Sequence, residues 1–199
     1  MAVPVFPGQT PPVPDIRLAR PADRDRLVTT VVAAFDQDPA FRAFFGHGPD
    51  FGDLATRFAT SLLERRIATE TVWMTDDGDA LAMWDPPAGT VDAPPSTLVL
   101  PADAEARLDD YDEQVHAAIT PAPHWYLGVL ASHPSRRGEG LARSVLVPGL
   151  ARAAADDVPA VLETTNRDNV ALYERSGWKV SAELEGVIGL TVWVMNYSG

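Results

Sequence analysis

The chain contains no cysteine. That excludes disulfides, thiolate metal sites and a cysteine nucleophile, and with them any acyl-cysteine intermediate. Histidine is scarce, and His47, His116, His124 and His133 show no paired metal-ligand spacing. No metal centre is expected. Positive charge is also short: 16 Lys and Arg stand against 28 Asp and Glu, for a formal net charge of -12. Nucleic-acid binding calls for a basic face and is disfavoured. An acidic field favours a cationic substrate instead. No apolar run approaches the roughly 18–20 residues that span a bilayer, so no membrane association is expected. The opening MAVPVFPGQTPPVP lacks the basic and apolar regions of a signal peptide. The expected compartment is the cytoplasm.

What remains is an ordinary globular composition in 199 residues, with 46% hydrophobic and 22% charged. That length suits one domain with a substantial core. Residues 1–14 read as a Pro-rich arm and 15–199 as the single domain. Ile16 to Ala19 is strand-like. Pro21 can open a helix in which Leu27, Val28, Val31, Val32 and Phe35 recur at helical spacing. Phe41, Phe44 and Phe45 cluster on a short second helix, and Asp53 to Ile67 forms a third. Thr71 to Thr75 and Ala80 to Trp84 read as a hairpin around Asp76-Asp77-Gly78-Asp79. Asp85 to Pro95 is a proline-rich loop, and 101–119 an acidic amphipathic helix. The second half alternates: strand Trp125 to Leu130, helix Gly140 to Ala155, strand Ala160 to Glu163, helix Asp168 to Ser176, then strands Trp178 to Glu183 and Leu190 to Met195. This order predicts a mixed α/β sheet.

The segment His133-Pro134-Ser135-Arg136-Arg137-Gly138-Glu139-Gly140-Leu141-Ala142-Arg143 leaves an apolar strand and enters a helix. A pyrophosphate needs that context. The first helical N–H groups lack intrahelical partners, and the helix dipole adds partial positive charge there. Glycine lets backbone approach phosphate oxygens closely. Arg136, Arg137 and Arg143 can add charge-assisted contacts. The segment lacks the Gly-Lys-Ser/Thr of a Walker loop, and it is a poor match to the Rossmann fingerprint.

Arg137-Gly138-Glu139-Gly140-Leu141-Ala142 resembles the Q/R-x-x-G-x-G/A signature of the GCN5-related N-acetyltransferase (GNAT) family. Tyr126 to Pro134 is similar to that family's fourth strand, Leu162-Glu163-Thr164 to its fifth. Asn166 to Trp178 resembles its N-x-x-A-x-x-x-Y-x-x-x-G-F segment. Within the family the likeness is nearest to puromycin N-acetyltransferase-like members, through IRLARPADRDRL, AAFDQDPAFR, VWMTDDGDALAMW and HWYLGVLASHP. Ser132 replaces an expected Val, Asn169 a small residue, and Trp178 the usual Phe. The resemblance implies an α/β GNAT fold: a twisted mixed sheet of about seven strands, split like a V after strand 4, with helices on both faces. It implies acetyl-CoA as co-substrate and a small-molecule amine as acceptor, with puromycin as the analogue within the family. A monomer or homodimer is expected.

The resemblance also implies residue roles. Backbone of Leu130, Ala131 and Ser132 would meet the pantetheine as an added strand does. Residues Arg136, Arg137, Gly138, Glu139, Gly140, Leu141, Ala142 and Arg143 would hold the pyrophosphate. Asn166 either contacts the cofactor or forms an Asx turn into the next helix. Tyr173 matches the family's general acid. Glu163, a carboxylate in a short apolar strand, is the candidate general base, with Asp36, Asp38 and His124 as alternatives. Phe35, Phe41, Phe44, Phe45, Trp84 and Trp125 either line an acceptor pocket or fill a core. Two other functions stay open: acetylation of a protein lysine or N-terminus, and a non-catalytic acyl-CoA sensor.

Overall fold

The computed structural model describes residues 14–199; the arm read over 1–14 lies outside that range except for its last residue. The elements run β1 (Ile16–Leu18), a 3-10 turn (Pro21–Asp23), α1 (Arg24–Phe35), α2 (Pro39–Phe45), α3 (Phe51–Ala68), β2 (Val72–Thr75) and β3 (Ala80–Asp85). They continue with α4 (Ala102–Ala118), β4 (Trp125–Ser132), a second 3-10 turn (Pro134–Arg136), α5 (Leu141–Ala155), β5 (Ala160–Thr164), α6 (Arg167–Glu174), β6 (Lys179–Val187) and β7 (Leu190–Tyr197). The seven strands form one sheet in the order β1-β2-β3-β4-β5-β7-β6. β4 and β5 are parallel, and every other pair is antiparallel. The mixed α/β architecture expected from the sequence is the one observed.

The helices cover both faces with separate cores. On one face α1, α2, α3 and α4 pack Leu27, Val31, Phe41, Phe44, Leu63 and Leu108 against Met74, Leu81 and Met83. On the other, α5 packs Leu141, Val145 and Leu146 against Trp84, Trp125 and Leu162. Burying each such side chain contributes about 1.5–3 kcal/mol.

β4 serves both cores. Its burial alternates without a break from Trp125 to Ser132. Yet Trp125 and Leu127 belong to the α5 core, whereas Val129 and Ala131 belong to the other. The reason is a bulge. Met83 pairs with Val129 and Trp84 with Leu127, so Gly128 is the extra residue. A Cβ at Gly128 would lie 2.9 Å from Nη2 of Arg66, so glycine here admits the α3 guanidinium against the strand.

Only three rungs join β4 to β5: Trp125 with Ala160, Tyr126 with Val161, and Leu127 with Leu162. Beyond them the strands part. Residues 129–132 then pair with β3 on one side alone, while Glu163 and Thr164 pair only with Val194 and Trp193 of β7. This is the V-shaped split expected after strand 4.

Candidate active site

A cleft of about 640 Å³ opens at the split. Parallel pairing sets its chemistry. Tyr126 lies opposite Val161, so Glu163, two residues on, projects to the same face. There the Tyr126 hydroxyl donates to Oε2 of Glu163. The glutamate retains some exposure along the cleft wall, but its carboxyl is packed among protein atoms. Desolvation pushes its pKa up to about 7, although the Tyr126 hydrogen bond and the His116 charge pull it down. Glu163 in turn opposes ionisation of Tyr173, whose phenol burial already holds above its ordinary pKa. Tyr173 packs edge-on against Trp178, with ring centroids 5.8 Å apart, and lines the same cleft. The structure therefore brings the two sequence-predicted chemical groups, Glu163 and Tyr173, together. It adds a residue that sequence reasoning missed, Tyr126.

The loop after β4 ends at the N-terminus of α5. Gly138 and Gly140 have φ of 86° and 76°, where side chains are strained. The first bond across the helix start runs from Ser144 N to Gly140 O at 3.2 Å. The N–H groups of Leu141, Ala142 and Arg143 thus have no intrahelical acceptor. Arg137 and Arg143 are exposed and make no side-chain hydrogen bond or ion pair among the described residues. Arg136 differs. Its guanidinium bonds Asp79 at 2.6 Å, Asp77 at 3.1 Å and Glu139 at 2.9 Å. Arg136 and Glu139 thus tie the loop to the β2–β3 turn, rather than presenting free charge.

Asn166 spends its side-chain oxygen on the α6 cap, accepting from Asp168 N at 2.9 Å, which is the Asx-turn alternative. Asn169, one turn later, lines the cleft. Leu130 lines it as well, and its side chain packs toward the α5 core. Of the alternative bases, Asp38 and His124 reach the cleft wall. Asp36 instead pairs with Arg42 at 3.1 Å. Phe35, Phe41 and Phe44 line the cleft, joined by Phe58. Trp84 and Trp125 do not: they are 0% and 2% exposed in the α5 core. Trp125 also donates to Asp156 at 2.7 Å, away from the cleft. Their strand parity, on the face opposite Tyr126, removes them from an acceptor pocket.

The features fit a long thioester cofactor. The parted strands leave backbone of residues 128–132 unpaired toward β5, and the α5 N-terminus offers free N–H donors beyond it. Among the described residues no group of three or more His, Asp or Glu could hold a metal ion, and no helix is long and apolar enough to cross a membrane.

No protein-family model matches the chain. Solved structures do. A histone acetyltransferase HPA2-related acetyltransferase from Corynebacterium glutamicum is 25% identical, with TM-score 0.66, covering 92% of this chain and 94% of that one. Polyamine N-acetyltransferase from Drosophila melanogaster is 14% identical, with TM-score 0.69 and coverage of 93% and 99%. An N-acetyltransferase from Thermoplasma acidophilum, solved in complex with coenzyme A, is 10% identical, with TM-score 0.57 and coverage of 93% and 98%. These structures are all acetyltransferases, and the chain carries the fold of the GCN5-related N-acetyltransferases.

Proposed function

We propose that this chain is an N-acetyltransferase that moves the acetyl group of acetyl-CoA directly to the amine of a small molecule. The observation that carries the reading is Glu163, held by Tyr126 and sharing its cleft with Tyr173, where β4 and β5 part. The coenzyme A complex of the Thermoplasma enzyme and the N-acetylagmatine formed by the Drosophila enzyme support it. The lack of cysteine favours direct transfer over an acyl-cysteine route.

Bound acetyl-CoA supplies the activated thioester carbonyl. Backbone of Leu130, Ala131 and Ser132 aligns the pantetheine, while Leu141, Ala142 and Arg143 N–H groups, with Arg137 and Arg143 side chains, hold the pyrophosphate. Glu163 takes a proton from the acceptor's ammonium, for which a pKa of about 7 is well matched. The freed amine forms the C–N bond as the C–S bond breaks. Tyr173 gives its phenolic proton to the leaving sulfur, the second proton shed by the attacking nitrogen restores the phenol, and the Glu163 proton leaves to solvent. Tyr126 is a positioning residue, fixing the carboxylate and supporting its charged form. Holding both substrates in register supplies much of the acceleration.

The test is release of coenzyme A thiol from acetyl-CoA across amine classes: puromycin, polyamines, aminoglycosides and basic peptides. Turnover on small amines supports the reading. Turnover on peptides alone would transfer it to protein acetylation. Acetyl-CoA should also raise the melting temperature by mass action; no shift at millimolar concentration would remove the cofactor assignment.

A further inference from the structure

The cleft holds more acid than the reaction requires. Glu163 alone suffices as base. Yet Asp38 and Asp112 also line the cleft, one capping α2 and the other on α4. Asp38 accepts from Ala40 N at 2.9 Å and Phe41 N at 3.1 Å through one oxygen. Its second oxygen has no partner among the described residues. The Asp112 carboxylate has none at all there. None of Asp38, Asp112 and Glu163 forms an ion pair among the described residues. The cleft's cations do not reach them as partners. Arg66 pairs with Asp85, Arg65 donates to Pro94 O at 3.2 Å, and His116 is bonded to the Asp112 main-chain oxygen at 2.7 Å.

A second observation is independent of the acid. Tyr111 is 6% exposed, its ring set edge-on to Phe44 at 5.0 Å. Its hydroxyl has no hydrogen-bond partner among the described residues. The wholly enclosed orphan polar atoms are Arg66 Nε, Trp84 Nε1 and Trp178 Nε1. The Tyr111 hydroxyl is not among them, because it faces the cleft. The ring is buried while the hydroxyl keeps contact with solvent, so a ligand group can replace water there. Glu163, Asp38 and Asp112 line the same cleft as Tyr111, and their charges add to burial in opposing its ionisation. Burial raises the pKa of both aspartates as well, which a neighbouring positive charge would reverse.

Resting on the N-acetyltransferase reading, we propose that the acceptor is a dication, with one amine presented to Glu163 and a second cationic group bound by the Tyr111 hydroxyl, Asp38 and Asp112. An ammonium donates to the phenol oxygen and to both carboxylates. A monocation delivered to Glu163 would leave Asp38, which is half-buried, and Asp112, at the exposed edge of the cleft, without an ion-pair partner. Phe41, Phe44 and Phe58 face the same space and suit an apolar linker, with their ring faces adding cation–π attraction.

The test uses calorimetric binding and turnover side by side on the full chain, with α,ω-diamines of three to six methylenes and with butylamine. At least one diamine should bind tenfold or more tightly than butylamine and have a correspondingly higher kcat/KM. Asp112→Asn and Asp38→Asn, the latter keeping the α2 cap, should each shrink that preference about tenfold, and Tyr111→Phe by less. Because the preference is a ratio within one variant, a poorly folded sample does not mimic the result. Equal binding of diamines and butylamine, a preference for puromycin over every diamine, or variants that leave the ratio intact would overturn the proposal. Selective diamine binding without any turnover would keep the subsite and strike only the acetyltransferase reading.

Discussion

The two flanks of the cleft are built on different principles. On the flank assigned to acetyl-CoA, the groups that face outward are main-chain: the parted edge of β4 and the first turn of α5. On the acceptor flank they are side chains from α2, α4, β4 and β5. Backbone donors depend on strand pairing and on where a helix starts, so many sequences supply them. Side-chain pockets depend on which residue sits at each place. Main-chain donors can therefore persist through sequence change, whereas a side-chain pocket changes residue by residue.

The largest expected effect lies where the flanks meet. Glu163→Gln should lower kcat/KM by about a hundredfold or more while leaving acetyl-CoA affinity nearly intact; a loss of cofactor binding of similar size would dissolve the division between flanks. In the wild type, kcat/KM should rise with pH through about 7 as Glu163 loses its proton, and the variant should lack that limb. Stability carries the same signature. A folded pKa raised above the unfolded 4.5 means Glu163 is tolerated fully below about pH 4.5, and stability falls as pH rises through 7. Denaturant melts should find Glu163→Gln the more stable protein at pH 8, by about 1–3 kcal/mol, with the difference gone at pH 4.

Tyr126→Phe ranks next. Losing a hydrogen bond to a charged group should lower kcat about tenfold and move the acid limb to higher pH, since that bond lowers the Glu163 pKa. An unmoved pH profile would make Tyr126 mere packing. Smaller again are Arg137→Ala and Arg143→Ala, each expected to weaken acetyl-CoA binding about three- to tenfold, less so at high salt. The smallest effect is Arg136→Ala, within about twofold for acetyl-CoA by titration, because its guanidinium is already engaged by Asp77, Asp79 and Glu139. An Arg136 effect exceeding that of Arg143 would show that side-chain charge, not main chain, governs the donor flank.

The same contrast decided what could be read from residues alone. The phosphate-type loop was legible because positive φ at Gly138 and Gly140 demands glycine, and that demand leaves a pattern. Glu163 was legible because a lone carboxylate in an apolar strand is conspicuous. Tyr126 was not, because its meaning depends on the parallel register that sets it beside Glu163. Tyr111 and Asp112 were not singled out, because residues 101–119 read only as an acidic amphipathic helix. Tyr111 completes the apolar stripe Ala104, Leu108, Tyr111 and Val115, while Asp112 sits beside it at the cleft edge. Trp84 and Trp125 read as pocket candidates because aromatic content says nothing about which side of a sheet a residue faces.

The Gly128 bulge carries a consequence for how this protein can change over time. Trp125 and Leu127 answer to one core, Val129 and Ala131 to the other, although their alternation is continuous. Substitutions on either side of the glycine share few neighbours, so their costs should combine almost independently. The helical lobe proposed to hold the acceptor can thereby change at little cost to the lobe around α5, and one unpaired glycine is the seam between them.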